Sequence, residues 1–385
     1  MDFENSAHWN TSFDSYFSHF ETLFKRSESR SCARAYIRGL LADVKRKNCW
    51  QVAEVMGFDD PQAMQRLLYE AQWDDRAVRR KLRGVTVTEL GYQPGVGVID
   101  ESGFVKKGEH SVGVQRQWCG RLGKVENCQV GVFLGYVTPF GSAFLDCELY
   151  LPRSWCDDAE RRQDVRVPSA VAFQTKPELA LAMLEQVWSE GIPMQWVVGD
   201  VVYGNSPTLR NAMAKSGRYY VMEIPCTNTI CPVGETEAVA AQDLARQLPE
   251  TAWEQMAFGL GEKGWHFYDW GAVRVVAPTD EVGEQWLVIR RSVGEPREHT
   301  YALSNAPADT PLSQLAVVAL ARHPIEQLLE EAKSEAGLAD YEVRHWHSWY
   351  RHITLSLAAH TWLSLIRHEQ REKKPVTMLD ELQSA

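Results

Sequence analysis

The chain reads as an α/β protein: a mixed sheet flanked by helices, interrupted by a mostly β insertion and preceded by an all-helical domain. Three observations predict this. Two apolar runs, 96–99 and 194–199, have the length of buried strands, and each is followed by an acid, Asp100 and Asp200. Between them, residues 127–137 and 143–151 alternate apolar and polar around Thr138-Pro139-Phe140-Gly141, the pattern of a hairpin. Helix starts at Pro177 and at Ser206-Pro207 separate the strands that follow, giving the order strand, hairpin, helix, strand, helix, strand.

Residues 10–83 carry helical periodicity. Phe13, Tyr16, Phe17, Phe20 and Phe24 recur at helical spacing, and Ala35, Ile37, Leu40, Leu41 and Val44 suggest a second helix. Trp50 to Met56 reads as a short helix, Gly57-Phe58-Asp59-Asp60 as a turn, and Pro61 as the start of another helix reaching about Ala71. Helix, short turn with glycine, helix is the spacing of a helix-turn-helix, with Gln62, Gln65 and Arg66 on the outer surface of the second helix. Residues 84–95 have turn residues at both ends and read as a linker.

The stretch after Asp100 is basic, glycine-rich and contains an indole: Lys106, Lys107, Arg116, Trp118, Arg121 and Lys124. A carboxylate at the C-terminal end of a central strand is where an α/β sheet exposes its chemistry. Cations and an indole beside it suit a polyanion with flat bases.

Beyond Ile224, residues 226–305 change character. Short strands dominate, such as 265–270, 273–276 and 286–290. Thr310-Pro311 and Pro324 then open two helices, and a long one runs from about His345 to Arg371. On the Pro324 helix, Ile325, Leu328, Leu329 and Ala332 form the core stripe. At about 100° per residue, Glu326, Glu330 and Lys333 fall along one border of that stripe, and Glu331 and Glu335 along the other. Asp100, Asp200 and Glu326 therefore stand out as hard oxygen donors suited to Mg²⁺ or Mn²⁺.

Composition narrows the class. At 385 residues and 44% hydrophobic, the chain can bury full cores in two or three domains. Its net charge of −10 argues against general nucleic-acid affinity, so any such binding must use local patches. Residues 1–90 are near balance, with 14 Lys and Arg against 13 Asp and Glu. The eight cysteines contain no C-x-x-C pair and read as reduced thiols of a cytosolic protein. No signal peptide is visible, and the apolar stretch 353–366 is too short and too interrupted for a membrane span.

Three motifs carry a resemblance: D-E-S-G-F-x-K-K-G-x-x-S-V-G-V-x-R-Q-x-x-G-x-x-G-K-x-x-N-C-Q from Asp100, G-D-x-x-Y-G around Asp200, and I-E-x-x-x-E-E-A-K-x-E-x-G-L-x-x-Y-E-V-R from Ile325. Over about residues 30–370 the chain resembles bacterial insertion-sequence transposases of the DDE class. It is similar to the cut-and-paste branch that carries an all-β insertion between the second aspartate and the glutamate. The resemblance implies an RNase H-like catalytic domain, with Asp100, Asp200 and Glu326 as ligands of two Mg²⁺ ions and Mn²⁺ as a substitute. It places Arg322 and Lys333 with Glu326 in an Arg-x-x-x-Glu-x-x-x-x-x-x-Lys pattern; Ala319 stands where a tyrosine is common, and Glu101 where many relatives have a second aspartate.

The organisation this implies is a helical DNA-binding domain over 1–88, a first catalytic part over 89–225, the β insertion over 226–305 and a helical second catalytic part over 306–385. The implied partners are double-stranded DNA, as element ends and as target, and further copies of the chain in a dimer or larger synapse. The implied location is the bacterial cytoplasm, at the nucleoid, with no membrane contact. Two other readings fit the same residues: a domesticated transposase that binds DNA without cutting, and an RNase H-like metal-dependent nuclease without strand transfer.

Overall fold

The apolar run that ends at Asp100 forms β1 (Gly95–Val105), which lies inside the sheet with a partner on each side. This computed structural model of the protein describes residues 3–90, 94–261, 264–294 and 296–372. β1 pairs antiparallel with β3 (Lys124–Thr138) and parallel with β5 (Met194–Gly199). β3 is long enough to take two partners on its outer edge: β2 (Gln115–Cys119) along its first turns and β4 (Gly141–Tyr150) along the rest. β6 (Tyr219–Ile224) extends β5 in parallel. The parallel core places the C-terminal ends of β1, β5 and β6 at one rim.

Helices connect and cover these strands. α6 (Arg153–Cys156), α7 (Ala159–Asp164) and α8 (Lys176–Ser189) link β4 to β5. The start of α8 is fixed by a capping box between Thr175 and Glu178. α9 (Val201–Gly204) and α10 (Pro207–Lys215) link β5 to β6, with Asp200 and Ser206 as their N-caps.

The 226–305 segment is strand-rich, and its strands continue the central sheet. β7 (Thr229–Pro232), β8 (Val239–Ala240), α11 (Ala241–Gln247), β9 (Glu254–Gly261), β10 (Gly264–Val276), β11 (Glu284–Ser292) and β12 (His299–Ser304) follow in order. β12 bonds to β6, pairing Ala302 with Glu223. Among the described residues, twelve strands join one sheet in the order β2-β3-β1-β5-β6-β12-β11-β10-β7-β8, with β4 on β3 and β9 on β10.

The N-terminal helices are α1 (Phe3–Ser18), α2 (Ser27–Leu40), α3 (Cys49–Val55), α4 (Gln62–Tyr69) and α5 (Asp75–Glu89). The linker expected over 84–95 is corrected for its first part, because α5 continues to Glu89; residues 91–93 lie outside the described ones. The β-branched run Val85-Thr86-Val87 disfavours a helix locally, but all three side chains are buried, and burial outweighs propensity. Gly57, at φ 78°, makes the turn between α3 and α4 in the left-handed region that glycine occupies without strain.

After β12 come α12 (Leu312–Leu320), α13 (His323–Glu335) and α14 (Trp346–Glu372). α14 packs against α2, α4 and α5 as well as against β4. One core therefore runs from Phe13, Phe17 and Phe24 through Trp349, Ile353 and Trp362 to Phe104 and Phe133 on the sheet. Tyr16 donates to the Ala358 carbonyl at 2.8 Å, and Tyr36 and His352 share a buried hydrogen bond of 2.9 Å. No helix among the described residues is long and apolar enough to cross a membrane.

Candidate active site

The strand does not end at Asp100 as the sequence suggested: β1 runs on to Val105 against β3, and only its pairing with β5 stops at Ile99, so strand alternation sorts Asp100 and Glu101. Asp100, Ser102 and Phe104 share a face with Phe133 and Gln129 of β3. That face is covered by α13 and α14, since Phe133, Phe104, Ile325 and Trp349 belong to one core. Glu101 points to the other face, toward α8 and α9. There it pairs with Lys176 at 2.5 Å and accepts from the Tyr203 hydroxyl at 3.0 Å. Glu101 is thus held away from Asp100 by the pleat of its own strand.

Asp200 follows β5 directly and caps α9, accepting from the Val202 amide at 2.9 Å. The rest of G-D-x-x-Y-G has a packing cause. Tyr203 is buried beneath the site, and a Cβ on Gly204 would stand 1.8 Å from the Glu223 carbonyl oxygen, so only glycine lets β6 pass. Arg210 donates to the Gly204 carbonyl and pairs with the buried Asp280, which holds this turn in place.

Both aspartates are poorly solvated. Burial pushes Asp100 up to about 7; the Glu101 amide and Arg322 pull it down, and Asp200 and Glu101 add to the rise. Burial and Glu101 raise Asp200 too, against Arg322 and backbone amides. In both, the loss of solvent outweighs the cation and the amides that favour the charged form.

α13 brings cations to the same place. Pro324 in its first turn and the stripe Ile325, Leu328, Leu329 and Ala332 seat the helix on the sheet. The preceding Arg322 reaches Glu223 at 3.7 Å and Glu326 at 3.6 Å. Burial works against its charge, but Glu223, Asp100, Asp200 and Glu326 raise its pKa above the usual arginine value. Lys333 is pulled down to about 8, by burial first and by Arg121, while Asp100 and Glu330 oppose the fall. Its ammonium lies 5.9 Å from the Phe104 ring centre.

The acids of α13 separate as the helix wheel requires. Glu331 turns to α14, with Arg367 and His360 as neighbours. Glu326 has a side chain 62% exposed and meets Arg322. Among the described residues no three His, Cys, Asp or Glu side chains converge closely enough to hold one metal ion. The chemistry of the aspartate pair still suits a hard divalent cation: two desolvated carboxylates whose charged form such an ion would favour. Glu326 is not brought beside them in this arrangement.

Sequence reading missed Glu223. It lies in β6 among Tyr220, Val221, Met222 and Ile224, is pushed up by burial, and faces Arg322, Arg290, Asp200 and Glu326. Its signal was a lone charge in an apolar strand. Glu223, Arg290, Thr300, Ala319 and Arg322 line a recess beside the rim, at the place where the tyrosine of the resembled pattern is missing.

The other candidates are scattered. Lys107, Arg116, Trp118, Arg121 and Lys124 are exposed, Lys124 being paired with Glu126 at 3.3 Å. Lys106 is not free: its ammonium donates to the Tyr341 carbonyl at 2.9 Å and lies 3.5 Å from the Tyr341 ring centre. Arg66 is exposed on α4, with Gln62 as its partner at 2.7 Å.

A profile of the DDE superfamily endonucleases matches residues 19–270, from the N-terminal helices into β10. A curated protein described as a probable transposase for insertion sequence element IS701, from Microchaete diplosiphon, is 30% identical over 198 residues. That alignment covers 50% of this chain and 48% of the relative, so it spans about half the length of each. With the profile matching well over half of its residues, the chain belongs to the DDE superfamily of endonucleases.

Proposed function

We propose that the protein is a DNA transposase that binds the terminal inverted repeats of its element and catalyses Mg²⁺-dependent strand cleavage and strand transfer. The observation that carries this reading is that Asp100 and Asp200 directly follow Ile99 and Gly199, the last residues paired between the parallel strands β1 and β5, with Arg322, just before α13, acting on both aspartates and Lys333 of α13 on Asp100. The likeness to a probable transposase supports it.

A divalent ion, when bound, polarises the scissile phosphate and lowers the pKa of the attacking water or hydroxyl. Asp100 and Asp200 would hold it, and Glu326 is the third candidate donor. Lys333 and Arg322 bind phosphate oxygens of the strand being cut and neutralise charge that grows in the transition state. Lys107, Arg116, Arg121 and Lys124 hold the duplex leading into the site, and Arg66 on α4 faces a groove. Attack is in line, by water first and then by the freed 3′-hydroxyl, so no side chain is required to bond covalently to the DNA. Joining two ends calls for two or more copies of the chain.

Asp100→Asn, Asp200→Asn and Glu326→Gln test this. Each should abolish metal-dependent cutting of duplexes carrying the element end while leaving binding to that duplex intact. Cutting by Glu326→Gln at the wild-type rate would remove Glu326 from the site. The exposure of Glu326 favours a second reading, a DNA-binding protein that no longer cuts. Wild-type protein that binds the ends and leaves them uncut with Mg²⁺ or Mn²⁺ would select it.

A further inference from the structure

The motif from Ile325 continues beyond α13 into residues 337–344, G-L-x-x-Y-E-V-R, a stretch that carries none of the residues placed at the site above. The structure makes this stretch a junction. Tyr341 is buried: its hydroxyl donates to Gln129 of β3 at 2.9 Å and accepts from the Trp349 indole of α14 at 3.0 Å. Its ring meets Phe104 of β1, the two centres 5.7 Å apart. The connection between α2 and α3 joins the same stretch. Asn48 caps α3 by accepting from the Gln51 amide at 3.0 Å, and its own side-chain amide donates to Glu342 at 3.0 Å. The Lys47 backbone amide donates to Asp340 at 3.0 Å.

The side chain of Lys47 goes further. The residue is 5% exposed, and its ammonium donates to the Ser334 carbonyl at 3.1 Å and to the Glu335 carbonyl at 2.6 Å. These carbonyls belong to the last turn of α13, where the helix itself supplies no donor. A cation there satisfies them and complements the negative end of the helix. Burial lowers the pKa of Lys47, and Glu335, Asp340 and Asp43 oppose the fall. Gly337 completes the seat. At φ 64° it turns the chain away from α13, and a Cβ on it would stand 2.7 Å from the Lys47 Cβ. The lysine stem therefore lies against bare backbone.

Ser334 directly follows Lys333, the cation on which Asp100 acts. α13 rests on the sheet through apolar side chains, and apolar contact is not directional. Hydrogen bonds are directional, so the two from Lys47 fix where the end of the helix stands. Lys47 itself is set one residue before the cap of α3. We propose that Lys47 is a positioning residue that ties α13 to the helix pair α3 and α4, so that a duplex held by those helices sets where Lys333 stands at the cutting site. This rests on the transposase reading above and gives it a regulation: recognition of the end tightens the site through contacts within one chain. Such coupling is reciprocal, so loosening the end of α13 also slightly weakens the hold of α3 and α4 on the duplex.

The test follows amide hydrogen exchange in the full chain, without metal, on adding an element-end duplex shortened to stop before the cleavage point. Such a duplex reaches α3 and α4 but not the site, so any response of α13 is transmitted through the protein. In wild type the amides of residues 332–336 should exchange about tenfold more slowly once the duplex is bound. Lys47→Met should bind the same duplex within about threefold of wild type and show no such slowing. With the complete end, saturating DNA and Mg²⁺, Lys47→Met should cut about tenfold more slowly. Wild-type amides at 332–336 that ignore the shortened duplex would overturn the proposal, as would a response of Lys47→Met equal to that of wild type. Cutting by Lys47→Met at the wild-type rate would overturn it too. Loss of duplex binding together with faster exchange throughout the chain in Lys47→Met would assign Lys47 to folding alone and overturn it as well. Wild type that fails to bind or cut the complete end would instead overturn the transposase reading itself.

Discussion

Arg322 and Glu223 meet at 3.7 Å, joining the residue before α13 to the strand beside the aspartates. This contact makes Arg322 the cation shared by Glu223, Asp100, Asp200 and Glu326. Arg322→Ala should leave four acids facing one another without it and destabilise the metal-free protein by roughly 2 kcal/mol. Added Mg²⁺ should recover more of the melting temperature in the variant than in wild type, because it supplies the missing charge. Equal melting temperatures without metal would show that Arg322 does not balance the acids.

The two lysines after β1 should behave differently. Lys107→Ala, at an exposed position, should weaken DNA binding, flatten its salt dependence and leave the melting temperature unchanged. Lys106→Ala should cost about 1 kcal/mol of stability, because its bond to the Tyr341 carbonyl and its contact with that ring are lost. Parallel thermal scans and salt titrations separate the two effects.

Glu331 offers a pH signature. The His360 imidazole, with Arg367 and Gln327, holds its carboxyl down to about 2, below its ordinary value near 4.5. A depressed folded-state pKa means that the stabilisation is present above about pH 4.5 and is lost as pH falls toward 2. Glu331→Gln should therefore lower stability by about 1–2 kcal/mol at pH 7 and by progressively less below pH 4. DNA cutting should persist, since the side chain faces α14 and not the aspartates. A stability difference that is constant from pH 7 to pH 2.5 would contradict the assignment.

A fragment ending at residue 90 should not fold alone. Its apolar faces are completed by α14, through Tyr16 to Ala358, Tyr36 to His352 and Arg79 to Thr354. Circular dichroism of the fragment should show little helix, and adding the remainder of the chain in trans should restore it. A cooperative melt of the isolated fragment would show that the N-terminal helices are a domain in their own right.

These particulars show what a single sequence carries. The strands leading to Asp100 and Asp200 were legible because a run of apolar residues closed by an acid is a local pattern, but the continuation of β1 past Asp100 to Val105 was not, since its partner β3 is needed to extend it. The placement of Glu326 and Glu331 on opposite borders followed from helix periodicity alone. Glu223 was not legible as part of the site, because its neighbours Arg322 and Arg290 come from distant segments. Lys106 read as one cation among several until Tyr341, far along the chain, was placed beneath it. The continuation of the sheet through β12 was hidden for the same reason: backbone pairing across a long separation leaves no mark on composition.

The joining of the first helices to the last has a consequence for synthesis. A ribosome delivers Phe13, Phe17, Phe20 and Phe24 more than 300 residues before Trp362, which closes on Phe13, and Ala358, which accepts from Tyr16. Those aromatic side chains have no completed core to enter until α14 has been made, so the N-terminal helices cannot settle in chain order. A chain interrupted before α14 leaves that aromatic face without its cover, a surface that chaperones and proteases recognise.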